Sequence, residues 1–136
     1  MRTAPFFVVA LLAVSASAGA GGHAGIPMMA ITGAEPLPAA IRDVTRKTPL
    51  QIRTSQELVK AFGKEQAAKI QKQVDLEHQV VVVFAWKGSG QDQLNYTILK
   101  SNPPQYRFSF VDGETDDLRQ HVHVYALRLD IKWGID

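Results

Sequence analysis

The stretch QVVVVFAW (residues 79–86), followed by KGSGQDQ (87–93) and LNYTIL (94–99), decides how this chain reads. Val80 to Trp86 is an apolar run rich in β-branched residues. It predicts a strand buried on both faces. Leu94 to Leu99 predicts a second strand. Between them lie Gly88 and Gly90, and Gly-x-Gly after a strand can open a phosphate-binding turn. A dinucleotide site needs a third glycine and a following helix. Position 93 is Gln, and a strand follows. A P-loop needs Lys after its glycines, whereas Lys87 precedes them. Nucleotide binding is therefore not expected. The segment reads instead as a loop joining two strands, with glycines that permit positive φ. Gly88, Ser89, Gly90, Gln91 and Asp92, with Gln93 after them, are expected to form an exposed polar tip on a rigid sheet. Such tips commonly contact partners.

The strand pattern continues downstream. Asn102-Pro103-Pro104 ends the second strand, because proline cannot donate to a ladder. Tyr106, Phe108 and Phe110 alternate with Arg107, Ser109 and Val111. Asp112-Gly113 signals a turn. In HVHVYAL (121–127), Val122, Val124 and Ala126 point one way and His121, His123 and Tyr125 the other. Leu129, Ile131 and Trp133 suggest a short fifth strand. Upstream, Thr54-x-x-Glu57 is a capping box, and Leu58, Ala61 and Phe62 recur on one helix face. Gly63 predicts a break, since glycine inside a helix costs about 1 kcal/mol against alanine. Ala67, Ile70 and Val74 then continue the apolar face. The fold class is α+β: one amphipathic helical segment, broken at Gly63, then four to five mainly antiparallel strands. The short connections do not permit parallel crossovers. The sheet is expected to form a small sandwich or half-barrel, with Phe62 and Ile70 covering an open edge or face.

The N-terminus has another character. Arg2, the apolar run Phe6 to Ala16 and the small residues Ala16-Ser17-Ala18 match a secretory signal peptide with an A-x-A-like cleavage site. The expected organisation is a signal peptide at 1–20, a flexible Gly/Ala/Pro leader at 21–40 and a single domain at 41–136. The apolar core is shorter than the roughly 20 residues that span a bilayer, so no transmembrane span is expected in the mature chain. An exported location, periplasmic or extracellular in a bacterium, follows. The chain has no cysteine. That excludes disulfides, thiolate metal sites and thioether-linked haem.

Net charge is +2 over 136 residues. The basic residues concentrate between Arg42 and Lys72 on the helical segment, which reads as a solvated face. Export argues against nucleic acid as a partner.

Candidate chemistry is sparse. His121 and His123 share a strand face and could both reach one metal ion, but a zinc site needs at least three protein ligands. His78, Asp116 and Asp117 are the remaining candidates for a third. Ser89, His121 and Asp92 have no spacing that favours a catalytic triad, and no nucleophile elbow surrounds Ser89. No cofactor motif is present.

The order Val74-Asp75-Leu76, Val80 to Val83, Gly88-Ser89-Gly90 and Asn95-Tyr96-Thr97-Ile98 is similar to the secreted, protease-complex-associated PrcB C-terminal-like domain. Leu76 stands where that family has an aromatic residue, and its Gly-Gly-Tyr loop is absent. The resemblance implies a β-rich module with one helix and a non-catalytic role on a protease complex. The functional expectation is an exported, non-enzymatic module for a protein or peptide partner in the cell envelope, with Gly88–Asp92 and Tyr125 as contact residues. The alternative is a metal-binding protein or metalloenzyme that uses His121 and His123.

Overall fold

The computed structural model describes residues 26–136. The expected signal peptide, with its cleavage site, and the first residues of the expected leader lie outside the described residues. Along the chain run β1 (Met28–Ala30), β2 (Leu50–Ile52), α1 (Ser55–Phe62), α2 (Lys64–Gln71), β3 (Gln79–Ser89), β4 (Gln93–Leu99), β5 (Gln105–Val111), β6 (Leu118–Arg128) and β7 (Lys132–Ile135). The strands form two sheets, antiparallel and mixed, of order β1-β6-β3-β2 and β4-β5-β7.

The centre is the pair β3–β6. Its antiparallel register runs unbroken from Gln79↔Arg128 to Ser89↔Leu118. Every residue from Gln79 to Trp86 is buried, as the continuous apolar run requires. Period-two alternation divides that run. Val81 and Val83, with Val124 and Ala126 of β6, join Leu58, Ala61, Phe62, Ala67 and Ile70 of the helices in one apolar cluster. Val80, Val82, Phe84 and Trp86 join Leu94 of β4, Tyr106 and Phe108 of β5, and Tyr125 and Leu127 of β6 in another. Phe84 and Phe108 are fully buried with ring centroids 4.8 Å apart, a separation at which offset aromatic pairs attract.

The helical segment is two helices. Thr54 caps α1 by accepting from the Glu57 amide at 3.1 Å. Glu57 reaches back to the amide of Arg53 at 3.0 Å, one residue earlier than a standard capping box. Gly63 divides the helices with φ 83° and ψ 163°, a region open essentially to glycine alone.

Three features depart from the sequence reading. Met28–Ala30, inside the stretch expected to be a flexible leader, forms a strand on β6, and Ile31 is buried. Three residues are too few to show a period, so this pairing comes from tertiary contact. The three-residue strand β2 escapes the reading for the same reason. Finally, β7 pairs with β5 in parallel, although the strands were expected to be mainly antiparallel and parallel crossovers were excluded. The chain leaves β5, crosses the other sheet as β6 and returns. A long strand of the four-stranded sheet thus serves as the crossover, where loop length alone had pointed to antiparallel neighbours.

Candidate functional site

The turn after β3 differs from the expected exposed tip. β3 continues through Ser89, so Gly88 and Ser89 belong to the strand and the reversal occurs at Gly90–Asp92. Among the described residues only Gly33 and Gly63 have positive φ. Gly88 and Gly90 therefore do not serve for backbone freedom, as expected, but for close approach. A Cβ on Gly88 would lie 2.0 Å from Asp92 Oδ2, and one on Gly90 would lie 2.4 Å from Asp117 Oδ2.

Asp92, expected to be exposed, is buried. Its Oδ1 accepts from the Gly113 amide at 2.7 Å. Its Oδ2 accepts from the Trp86 indole at 3.1 Å and from the Arg46 guanidinium at 2.8 Å. The Gly113 amide, then the indole and the Arg46 charge, hold this carboxyl below the usual carboxylate range against the opposing effect of burial. Arg46 also binds Asp112 at 2.5 Å. Its guanidinium carbon lies 5.7 Å from the Trp86 ring and 5.4 Å from the Phe110 ring, within cation–π range. One buried carboxylate thus ties three segments together: the loop before β2, the β3–β4 turn and the β5–β6 connection.

A second carboxylate extends the knot. Asp117 accepts from the Gly90 amide at 3.1 Å and from Arg119 at 2.5 Å. Hydrogen bonding from Thr115, then from the Gly90 amide, brings its pKa down to about 2. Ser89 Oγ bonds Thr115 Oγ1 and accepts from the amides of Gln91 and Thr115. Of the predicted tip, Gly90, Gln91 and Gln93 are exposed. They border an open cleft of about 530 Å³ with Val111, Asp112 and Glu114 on its far wall.

His121 and His123 do share a face, and both stack on Trp86. The ring centroids are 4.8 and 5.5 Å away, at interplanar angles of 14° and 16°. His121 is the cross-strand partner of Trp86, and His123 that of Phe84, diagonal to it. His121 Nε2 donates to the Ser89 carbonyl at 2.7 Å. Burial, then the neighbouring His121 charge, pushes the His123 pKa down. Among the described residues, three potential ligands converge only at Asp75, Glu77 and His78. That group excludes His121, His123, Asp116 and Asp117, so no third ligand joins the histidine pair among the described residues. The three residues that do converge are partly or fully exposed, and the His78–Asp75 hydrogen bond at 2.6 Å raises the His78 pKa. Ser89, His121 and Asp92 do not form a triad. The imidazole bonds the Ser89 main chain, not its hydroxyl, and the carboxylate is occupied by Trp86, Arg46 and Gly113. Tyr125, expected at a partner face, is buried between the sheets.

The sequence reading passed over Arg46 and the edge of the second sheet. Nothing in the sequence singles out Arg46, which lies 46 positions from Asp92. The edge left a signal: QLNYTIL carries alternating apolar residues and no charge. Within the described residues β4 pairs with β5 alone. Apart from buried Leu94 it is exposed throughout, with Tyr96 at 45%, Ile98 at 51% and Leu99 at 47%. Proteins blunt open edges by shortness, charge or proline. Here β1 and β2 are three residues each, β7 carries Lys132, and the part of β6 that β1 leaves uncovered on its outer edge carries Arg119. β4 has seven residues and none of these devices.

No helix among the described residues is long and apolar enough to cross a membrane. No protein family, curated protein or solved structure matches the chain.

Proposed function

We propose that this is an exported, non-catalytic binding module that engages a protein partner by adding an extended strand to the open edge of β4. The observation that carries the reading is that edge: seven residues, uncharged, largely exposed and without proline. Its outward N–H and C=O groups would give affinity, and its alternating side chains would give specificity. The matching partner segment is an extended, uncharged strand with alternating apolar residues. In this reading the two sheets form a small sandwich, and the Asp92 knot fixes where β4 begins. The motif resemblance to the PrcB C-terminal-like domain also supports a non-catalytic interaction, in a periplasmic or extracellular setting.

A photo-crosslinking residue at Thr97 tests the contact in producing cells. Adducts at position 97, and none at exposed Arg53 in the link between β2 and α1, are expected. Adducts at Gln91 but not at Thr97 would move the contact to the turn and overturn the assignment.

A further inference from the structure

We infer that the strand received by β4 is the β4 strand of a second copy of this chain, paired antiparallel about a two-fold axis through Tyr96. The inference rests on the proposed role of the β4 edge and names its partner. The segment that this edge calls for, uncharged and alternating, describes β4 itself.

The register follows from the sequence. Centring the pair on Tyr96 places Leu94 opposite the second copy's Ile98, Asn95 opposite its Thr97, and Gln93 opposite its Leu99. Antiparallel pairing preserves the face of each residue. Leu94, Tyr96 and Ile98 therefore continue the apolar face that each β4 already shares with Phe108 and Tyr125. Asn95 and Thr97 meet on the outer face as a polar pair. A one-residue shift would set apolar positions against polar ones across the junction. No charge occurs in Gln93–Leu99, so the symmetric pair brings no like charges together. A two-fold interface must be self-complementary, and this register is. The product is a continuous six-stranded sheet in which the long uncharged edge is no longer open.

Substitutions on the outer face test it. Asn95 and Thr97 are exposed and project away from the apolar cluster, so changes there spare the fold, which melting checks. Sedimentation velocity of the purified chain from micromolar to sub-millimolar concentration is expected to show a monomer–dimer equilibrium. Asn95→Lys with Thr97→Lys places lysines opposite one another and is expected to weaken the dimer at least about tenfold. Asn95→Glu with Thr97→Glu is expected to do the same. An equal mixture of the two variants is expected to restore dimer, because each Lys then meets a Glu. A wild-type chain that stays monomeric overturns the self-pairing. If it is monomeric yet still gives Thr97 adducts with other proteins, the edge remains the contact and only its occupant changes. A dimer insensitive to both double substitutions overturns the β4 register. Dimer weakened by each double substitution but not restored by the mixture overturns the opposition of Asn95 and Thr97.

Discussion

Replacing Gly88 with alanine tests whether the β3–β4 turn is shaped by close approach or by backbone freedom. The added methyl would sit 2.0 Å from Asp92 Oδ2, where ordinary contact begins at 3.4 Å. The carboxylate must retreat by about 1.4 Å or the strand must bend. Such a retreat breaks or badly stretches the bonds to that oxygen from the Trp86 indole at 3.1 Å and from Arg46 at 2.8 Å. Overpacking alone costs about 1–3 kcal/mol, and each lost hydrogen bond adds about 1 kcal/mol. A total of about 3–5 kcal/mol follows, or roughly 12–20 °C in Tm at about 4 °C per kcal/mol for a domain near this size. Thermal unfolding followed by Trp fluorescence and circular dichroism reads this directly. A double-mutant cycle sharpens it: with Asp92→Ala the obstructing carboxylate is gone, and Gly88→Ala should then add little. A Gly88→Ala protein as stable as wild type, or an equal penalty with Asp92→Ala, would refute the close-approach reasoning.

Other substitutions probe the remaining layers. Phe108→Ala empties the contact with Phe84 between the two sheets and is expected to cost about 3–5 kcal/mol in chemical denaturation; a loss below about 1 kcal/mol would place the core elsewhere. Gly63→Ala forces a side chain into backbone that only glycine adopts readily and should cost about 1–3 kcal/mol, read as a lower Tm. His123 has its pKa lowered in the fold, so the unfolded chain binds its proton more readily. Its contribution to stability is therefore present above pH 6.5 and is lost as pH falls from 6.5 through the lowered value. His78, raised by Asp75, has the opposite sign: its contribution holds below pH 6.5 and is lost as pH rises through its raised value. Denaturation midpoints between pH 5 and pH 8 should thus show a decline on the acid side that His123→Gln removes; an unchanged profile in that variant would contradict the assignment.

What was legible in the sequence followed from long patterns. The run Val80–Trp86 announced a doubly buried strand. The alternation of Val122, Val124 and Ala126 with His121, His123 and Tyr125 announced the two faces of β6, and Thr54-x-x-Glu57 with Gly63 announced the helix start and its break. The misses have physical causes. Strands of three residues show no period, so β1 and β2 exist only through their partners in the sheet. The parallel β5–β7 pair depends on β6 belonging to the other sheet, which loop length does not reveal. Gly88 and Gly90 were read through φ, the property a sequence suggests first. Their reason is instead the carboxylates of Asp92 and Asp117, and the second of these lies 27 residues from Gly90. Asp92 looked like a surface group because its three donors, from Arg46, Trp86 and Gly113, converge only in the folded chain.

The symmetric pairing of β4 admits a register-specific test, since the chain has no cysteine of its own. Asn95→Cys and Thr97→Cys proteins are prepared separately, mixed and oxidised. In the two-fold register residue 95 lies opposite residue 97 of the second copy, with Cα atoms about 4.5–5.5 Å apart, within reach of a disulfide. Identical positions are diagonal neighbours about 7–8 Å apart, beyond that reach. A disulfide-linked dimer in the mixture, and little in either protein alone, is the expected result. Equal cross-linking of all three samples, or none in the mixture, would contradict pairing through β4.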